Sequence, residues 1–441
     1  MLHSINKTIF TKGFLQYFHN TSWLFVERIF KMILSLFIGV WVARYLGPNK
    51  FGLFSYALSF IGLFSTIATL GLDGIAVREI VKNPLNKDQI LGTIFILKIY
   101  GFVITFLFLL IGIHFTSNNL YTNQLIFIIA SSIIFQSFNV IDLYFQAIVK
   151  SKNIALLNIC TACISAILKI YFILNHATLT CFAWIIVFEN FLLSIGFISL
   201  YLTHKQSIIK WRFKTCLALN LLKDSWPLII SGVVISIYMK IDQIMIKELL
   251  GNNAVGNYAV AVRLSECWYF IPMIIGSSLF PAIINSQKIN NKLYRERLQY
   301  LYNLMIYIAI FISLIMTVFG DTLISFLYDN KFNQATSVLK IHTWATIFVF
   351  IGVINSKRLL NENLQQFTTI NTSIGMLLNI ILNYILIQKM GITGAAWATL
   401  IAYFVAAYLS LSLWKPTRKS FFDLTQCLFL YTLFIKCKNN E

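Results

Sequence analysis

Twelve apolar runs, each about as long as a bilayer is thick, follow one another along the chain with short polar breaks between them. An α-helix rises 1.5 Å per residue, so about 20 apolar residues are needed to cross roughly 30 Å of hydrocarbon. The runs fall at 22–44, 52–72, 91–113, 121–146, 154–174, 180–202, 225–247, 254–283, 298–318, 338–355, 367–388 and 391–414. Each predicts a membrane-spanning helix. The connections are short, and no stretch outside the runs is long or varied enough to bury a soluble core. The expected fold class is all-α, a polytopic membrane protein of about 12 transmembrane helices with no extramembrane domain. Segment 22–44 is too long for a signal peptide and lacks a small-residue cleavage site before the turn at 46–52, so it reads as helix 1.

Composition agrees with the pattern. Of 441 residues, 58% are apolar and 12% charged, against roughly a quarter charged in soluble domains. An ordinary globular enzyme is excluded. The net charge of +19 would suggest nucleic acid in a soluble protein, but its distribution makes it topological. Alternate connections, starting with the N-terminal tail, hold 23 Lys and Arg; the intervening ones hold 4, Lys50, Lys247, Lys331 and Lys389. Basic loops stay on the cytoplasmic side, which predicts an even number of crossings with both termini cytoplasmic and no nucleic-acid partner. The seven cysteines are odd in number and imply no disulfide framework, and Cys160 and Cys163 read as small packing residues.

A weak internal repeat organises the runs. Leu46, Gly47, Asn49 and Gly52 recur as Leu250, Gly251, Asn253 and Gly256, at a constant offset of 204. Ser22-Trp23 and Ser225-Trp226 open the first helix of each copy. Gly and Asn suit any tight turn; the matched offset is what points to duplication. Six helices per copy make the halves parallel repeats, two six-helix lobes around a central cavity, an arrangement that transporters use for alternating access. The expected divisions are an N-terminal lobe at 1–203, a basic cytoplasmic linker at 204–224, a C-terminal lobe at 225–414 and a basic cytoplasmic tail at 415–441. The small-residue stripe Gly394, Ala398, Ala402 and Ala406 reads as helix packing.

No phosphate-cradling loop, zinc-protease motif, metal-ligand cluster or nucleophile elbow occurs. The chemistry lies in charge inside the bilayer, which is costly and by default functional. The basic residues within runs are Arg28, Lys31, Arg44, Lys98, Lys169, Lys240, Arg263 and Lys340; the acidic ones are Glu27, Asp142, Glu189, Asp242 and Glu266. Arg44, Asp142 and Lys340 lie near run ends, where snorkelling satisfies them. Lys31 is roughly 13 Å deep in helix 1, with Arg28 on the same face and Glu27 placed to neutralise one of the two. Arg263 and Glu266, three apart, suit an internal ion pair or a ligand site equally. Lys240 and Asp242, two apart, cannot face each other and need separate partners, and Asp242 is a candidate proton or sodium site. Lys98 and Lys169 are expected to stand alone. Eight basic groups against five acidic predict a net-positive interior, suited to a phosphate-bearing or other anionic substrate.

The stretch from Trp41 to Asn83, W-V-A-R-Y-L-G-P-N-K-F-G-L-F-S-Y-A-L-S-F through G-L-D-G-I-A-V-R-E-I-V-K-N, resembles the N-terminal signature of O-antigen and polysaccharide flippases. So do Y-M-K-I-D-Q-I-M-I from Tyr238, G-N-N-A-V-G-N-Y-A-V-A-V-R-L-S-E from Gly251 and W-Y-F-I-P-M from Trp268. V-I-D-L-Y-F-Q-A at 140–147 and G-I-T-G-A-A-W-A-T at 391–399 extend the likeness along the chain. That family belongs to the superfamily that also holds multidrug antiporters and peptidoglycan-precursor flippases.

The resemblance implies a flippase, not an enzyme, that moves undecaprenyl-pyrophosphate-linked repeat units from the cytoplasmic to the outer leaflet of a bacterial inner membrane. The substrate set would be Arg28, Lys31, Lys98, Lys240 and Arg263, with Asp242 and Glu266 in ion coupling. No cofactor is implied beyond a proton or sodium gradient. The partners implied are the lipid-linked glycan, the bilayer, and the polymerase and chain-length proteins of the same pathway. The competing functions are a multidrug antiporter, which should carry an acidic cavity, and an oligosaccharide-lipid polymerase, which should need larger outer loops than 319–337.

Overall fold

The computed structural model describes residues 2–287 and 289–428, with side chains from residue 20 onward. Residues 429–441 of the expected tail, Lys288, and the side chains of the N-terminal segment lie outside the described residues. The described residues form helices and short connections, with no strand. Through the first repeat these are α1 (Leu2–Thr69), α2 (Asp73–Lys82), α3 (Lys87–His114), α4 (Leu120–Gln136), α5 (Val140–Ala147), α6 (Lys152–Leu174) and α7 (Leu179–Thr203). Next come α8 (Thr215–Leu250), α9 (Asn252–Glu266), α10 (Phe270–Gln287), α11 (Asn291–Tyr328) and α12 (Ala335–His342). Finally, α13 (Ala345–Asn361), α14 (Gln365–Met390), α15 (Ile392–Ala407) and α16 (Arg418–Leu428) complete the order.

Ten helical stretches are long and apolar enough to cross a membrane, and α12 with α13, bent by 40°, make an eleventh. The first stretch, Asn20–Lys82, has 63 residues, about twice the length one crossing needs. It is broken at Gly47, so it holds two of the predicted runs. Every run therefore has a helical counterpart. Large apolar side chains such as Phe37, Leu107, Phe311 and Val318 stay more than half exposed on these helices. In water such a surface would be a liability; against lipid tails it is the outer wall of the protein. The break between α12 and α13 frees backbone groups inside a span, and the Ser313 hydroxyl answers by donating to the Thr343 carbonyl at 2.9 Å.

The chain forms two compact units. One holds the chain up to Leu46 together with Ala57–Ser236; the other holds Gly47–Tyr56 and the chain from Ile237. Leu72, Leu91, Ile94, Val140, Phe145 and Tyr201 are fully buried in the core of the first. Residues 215–224 of the expected linker are the first turns of α8, and the stretch before them lies on α3. There Arg212 N–H donates to the Asp88 carbonyl at 3.3 Å, Lys214 N–H to Thr93 Oγ1 at 3.2 Å, and Trp211 Nε1 to Tyr201 OH at 3.2 Å. Gly92 is small for a reason: a Cβ there would come 2.6 Å from Arg212 N.

The core of the second unit gathers Tyr302, Met305, Phe350, Ile354 and Leu411. The expected tail contributes to it, because α16 buries Ser420, Leu424 and Cys427. Arg358 fastens that helix. Its guanidinium is buried and meets Glu362 at 3.0 Å and Asp423 of α16 at 2.8 Å.

The repeated motif is reproduced in the backbone. Gly47 has φ 69° and ψ 173°; Gly251, 204 residues on, has φ 86° and ψ −178°. Both take the left-handed region that side chains avoid, and each ends one helix and starts the next. The second glycines of the motif face each other's turns. A Cβ on Gly52 would lie 1.8 Å from Asn252 O, and one on Gly256 would lie 2.0 Å from Pro48 O. Position 48 corresponds to 252 and 52 to 256, so the two backbone contacts are related by the repeat. Gly52→Ala and Gly256→Ala should each lower the melting temperature and membrane abundance, since overpacking against rigid backbone costs about 1–3 kcal/mol or more. Gly74→Ala, with nothing within 4 Å of its Cβ, should leave both unchanged in the same thermal-shift and immunoblot measurements.

Candidate functional site

In the first unit the charges of α1, α2, α3 and α5 lie within electrostatic reach of one another. Lys31 Nζ is 3.7 Å from Glu27 Oε1, one helical turn away, and Glu27 is buried. Arg28 is exposed and enters no ion pair among the described residues. Glu27 in turn feels Asp142, and Asp142 feels Lys98 and Asp73. Lys98 is not alone as expected. Its buried ammonium donates to Asp73 Oδ1 at 2.7 Å, beside a cavity of about 30 Å³ that Thr69, Gln136 and Asn139 also line. Lys169 is not alone either: it lies 3.8 Å from Glu189 Oε2, which also accepts from the Ser165 hydroxyl at 2.6 Å.

These pairs answer four of the eight basic groups. Asp73 and Asp321 lie outside the apolar runs, yet they partner Lys98 and Lys340, the latter at 2.6 Å. With them, Lys31, Lys98, Lys169 and Lys340 each face a carboxylate.

The second unit gathers the residues of the coupling expectation. Asp242 on α8 is buried and meets neutral donors from three other helices. Oδ2 accepts from Tyr258 OH on α9 and from Thr399 Oγ1 on α15, both at 2.7 Å. Oδ1 accepts from Asn383 Nδ2 on α14 at 2.6 Å. The same amide donates to Asn379 Oδ1 at 3.0 Å, which leaves Asn383 Oδ1 and Asn379 Nδ2 buried without a partner. Among the described residues no ion pair involves Asp242. Lys240 and Asp242 both act electrostatically on Glu266, and the Tyr328 phenol is among the neighbours of Arg263.

Behind Tyr258 stands a buried histidine. The Tyr258 and His342 rings meet edge to face at 6.2 Å, and His342 Nδ1 is 2.7 Å from the Ser265 hydroxyl.

Sequence reasoning found Asp242 and missed the residues around it. Tyr258, Asn379, Asn383 and Thr399 carry no charge, so an inventory of ionisable groups passes over them. The available signal was polar spacing on an apolar helix: Asn371, Asn379 and Asn383 fall on one face of α14, all buried. Polar amides there need partners across helices.

Two family models match the chain. The one described as polysaccharide biosynthesis protein covers residues 17–287, and one described as MatE covers 227–385. The chain is 24% identical over 403 residues to the probable low-salt glycan biosynthesis flippase Agl15 of Haloferax volcanii, covering 88% of this chain and 81% of that protein. It is 22% identical over 398 residues to the capsular polysaccharide biosynthesis protein CapF of Staphylococcus aureus, covering 88% of this chain and 96% of that one. Among solved structures it is similar to the lipid II flippase MurJ in an inward closed conformation, with a TM-score of 0.72 at 19% identity over 93% of this chain and 92% of that one.

The cage around Asp242 predicts how substitutions there behave. Asp242→Asn should melt close to wild type, because the Tyr258 and Thr399 hydroxyls can turn from donor to acceptor. Asp242→Leu takes the carboxylate from the Tyr258 hydroxyl, while Thr399 Oγ1 keeps the Ala395 carbonyl and Asn383 Nδ2 keeps Asn379 Oδ1, both at 3.0 Å; a stranded buried donor costs about 1–3 kcal/mol, so this variant should melt below Asp242→Asn. Equal melting of the two variants in detergent would show that the cage is not closed on the carboxylate.

Proposed function

The chain belongs to the polysaccharide biosynthesis protein family, and we propose that it is a flippase for lipid-linked oligosaccharide units. In its finer form the proposal is transfer of undecaprenyl-pyrophosphate-linked O-antigen or capsule units to the outer leaflet of a bacterial inner membrane. The observation that carries it is the family match over 17–287, which spans Arg28, Lys31, Lys98, Lys240, Asp242, Arg263 and Glu266 together. Likeness to a glycan flippase and a capsule protein over most of the chain supports it.

The geometry ranks the cations for a diphosphate. Lys31 and Lys98 already answer carboxylates, whereas the Arg28 guanidinium is exposed with its fork uncommitted to an ion pair. A planar fork binds two phosphate oxygens at once. Arg28 is therefore the principal head-group contact, with Lys31 beside it; within the second unit, Lys240 and Arg263 are the candidate cations. The polyprenyl tail stays in the bilayer while the head crosses.

Asp242 suits ion coupling because its charge is met only by neutral donors, so a proton or sodium ion would bring the missing positive charge. The hydroxyls of Tyr258 and Thr399 and the unpartnered Asn383 Oδ1 supply oxygen lone pairs around it. Glu266, near both Lys240 and Asp242, would sense the change. The translocated product would pass to the polymerase and chain-length proteins of the pathway.

A multidrug antiporter is a second reading, favoured by the MatE match at 227–385 and by the pairing of Lys31, Lys98 and Lys169 with carboxylates. Proteoliposomes holding a fluorescent polyprenyl-pyrophosphate oligosaccharide separate the two. Wild-type protein should move the head group, and Arg28→Ala should slow it roughly 10- to 100-fold, the loss of a charge-assisted bidentate contact of about 1.5–3 kcal/mol. Arg28→Lys should recover part of the rate, and Asp242→Asn should abolish its dependence on imposed proton or sodium gradients. Export of a cationic dye without head-group movement would overturn the flippase reading.

Sidedness is tested separately by cysteine labelling of intact cells. Cysteines at Asn118 and Asn330 should react from outside, and those at Lys210 and Lys292 should not. External labelling at position 210 would reverse the proposed orientation, with its cytoplasmic termini.

A further inference from the structure

The ion pair on α1 is lopsided. Lys31 and Glu27 stand 3.7 Å apart, yet the lysine side chain is 39% exposed and the glutamate side chain 10%. One partner can turn to a ligand, and the other cannot follow. Glu27 has three further neighbours: the Asn158 amide on α6 donates to it, Arg28 attracts it from the same helix, and Asp142 on α5 repels it.

Asp142 is only partly answered. Its Oδ2 accepts from Gln146 at 3.0 Å, while Oδ1 is buried with no hydrogen-bond partner among the described residues. The charges acting on it are Lys98, which already donates to Asp73, then Asp73 itself, and again Lys31. Lys31 therefore serves two carboxylates at once. A phosphate that draws its ammonium away leaves Glu27 and Asp142 repelling each other without it. Arg28 does not make up the loss, because the same ligand draws on its guanidinium. A buried carboxylate deprived of its cation takes up a proton, since desolvation penalises only the charged form.

We propose that Glu27 is a proton-linked counter-ion: an anionic head group that takes Lys31 is bound together with one proton, which passes from bulk water to the Glu27 carboxylate and leaves when the head group leaves. This rests on the reading of Arg28 and Lys31 as head-group contacts. It gives the first unit a proton linkage of its own, whereas Asp242 belongs to the second. The sign follows from the competition. Acid neutralises Glu27 and frees Lys31, so the anion binds more tightly as pH falls, by up to about tenfold per pH unit for one linked proton. Base ionises Glu27, which then competes for Lys31.

The test is titration calorimetry of the full-length protein in nanodiscs with inorganic pyrophosphate, from about pH 6 to about pH 8.5, in buffers of differing ionisation enthalpy so that protons taken up are counted. Protons that pyrophosphate itself exchanges are common to all variants and cancel in the comparison. Wild type should take up about one proton more per pyrophosphate than Glu27→Gln at the alkaline end. Glu27→Gln keeps an acceptor for Asn158 and removes the charge, so it should bind about tenfold more tightly than wild type at the alkaline end and about equally at the acid end. Asp142→Asn removes the repulsion and should move the pH dependence of the wild type to lower pH, which a purely structural role for Asp142 would not do.

Binding that Arg28→Ala and Lys31→Ala weaken, with the same proton count in wild type and Glu27→Gln, would overturn the linkage and leave the head-group contacts standing. Binding that Arg28→Ala and Lys31→Ala leave unchanged, or no binding at any pH, would overturn both.

Discussion

Hydrocarbon offers a charge no water, so an ionised side chain inside the membrane has to be answered by a group that another helix supplies. Much of this protein's helix arrangement follows from that requirement. Lys98 draws α3 to the start of α2 through Asp73, and Lys169 draws α6 to α7 through Glu189. Asp242 ties α8 to α9, α14 and α15 at once, through partners 16, 141 and 157 residues away. Individually such contacts are worth little in water. Inside a membrane the alternative is a stranded charge or donor, and removing one partner costs far more than the pair contributes.

The same requirement explains which features the sequence shows openly. Apolar runs are local, and the crossing length is set by the bilayer, so every span from 22–44 to 391–414 was readable and each has its helix. The repeated turn was readable too, because Gly47 and Gly251 mark places where a backbone must take positive φ. Partners of buried charges are not local. Asp73 follows an apolar run and looks like a loop residue, Asp321 lies beyond the run at 298–318, and nothing near Lys98 or Lys340 in the sequence points to either one. The neutral cage of Asp242 was harder still, since Tyr258 and Thr399 are ordinary residues until α9 and α15 bring them to a carboxylate.

Two kinds of specificity result, and they differ in how sharply they constrain the chain. The reciprocal approach of Gly52 to Asn252 and of Gly256 to Pro48 is steric: no residue but glycine fits against a carbonyl oxygen at that distance. Charge answering is more permissive. Lys98 could be met by Glu as well as Asp, and Arg358 uses one carboxylate from its own helix and one from α16. Duplication is therefore easiest to see at the turns, where substitution is least tolerated, and faint along the spans, where many apolar residues serve.

Balanced pairing also sharpens what the remaining groups can do. Once Lys31, Lys98, Lys169 and Lys340 are matched with carboxylates, an excess of positive charge no longer distinguishes an anion carrier from a cation carrier. The distinction moves to individual groups left outside the pairs. Arg28 is an exposed guanidinium in the first unit, and Asp242 is a carboxylate in the second that only neutral donors satisfy. The proposed flippase would use the first toward an anionic head group and the second toward a proton or sodium ion, while the paired charges continue to hold the fold.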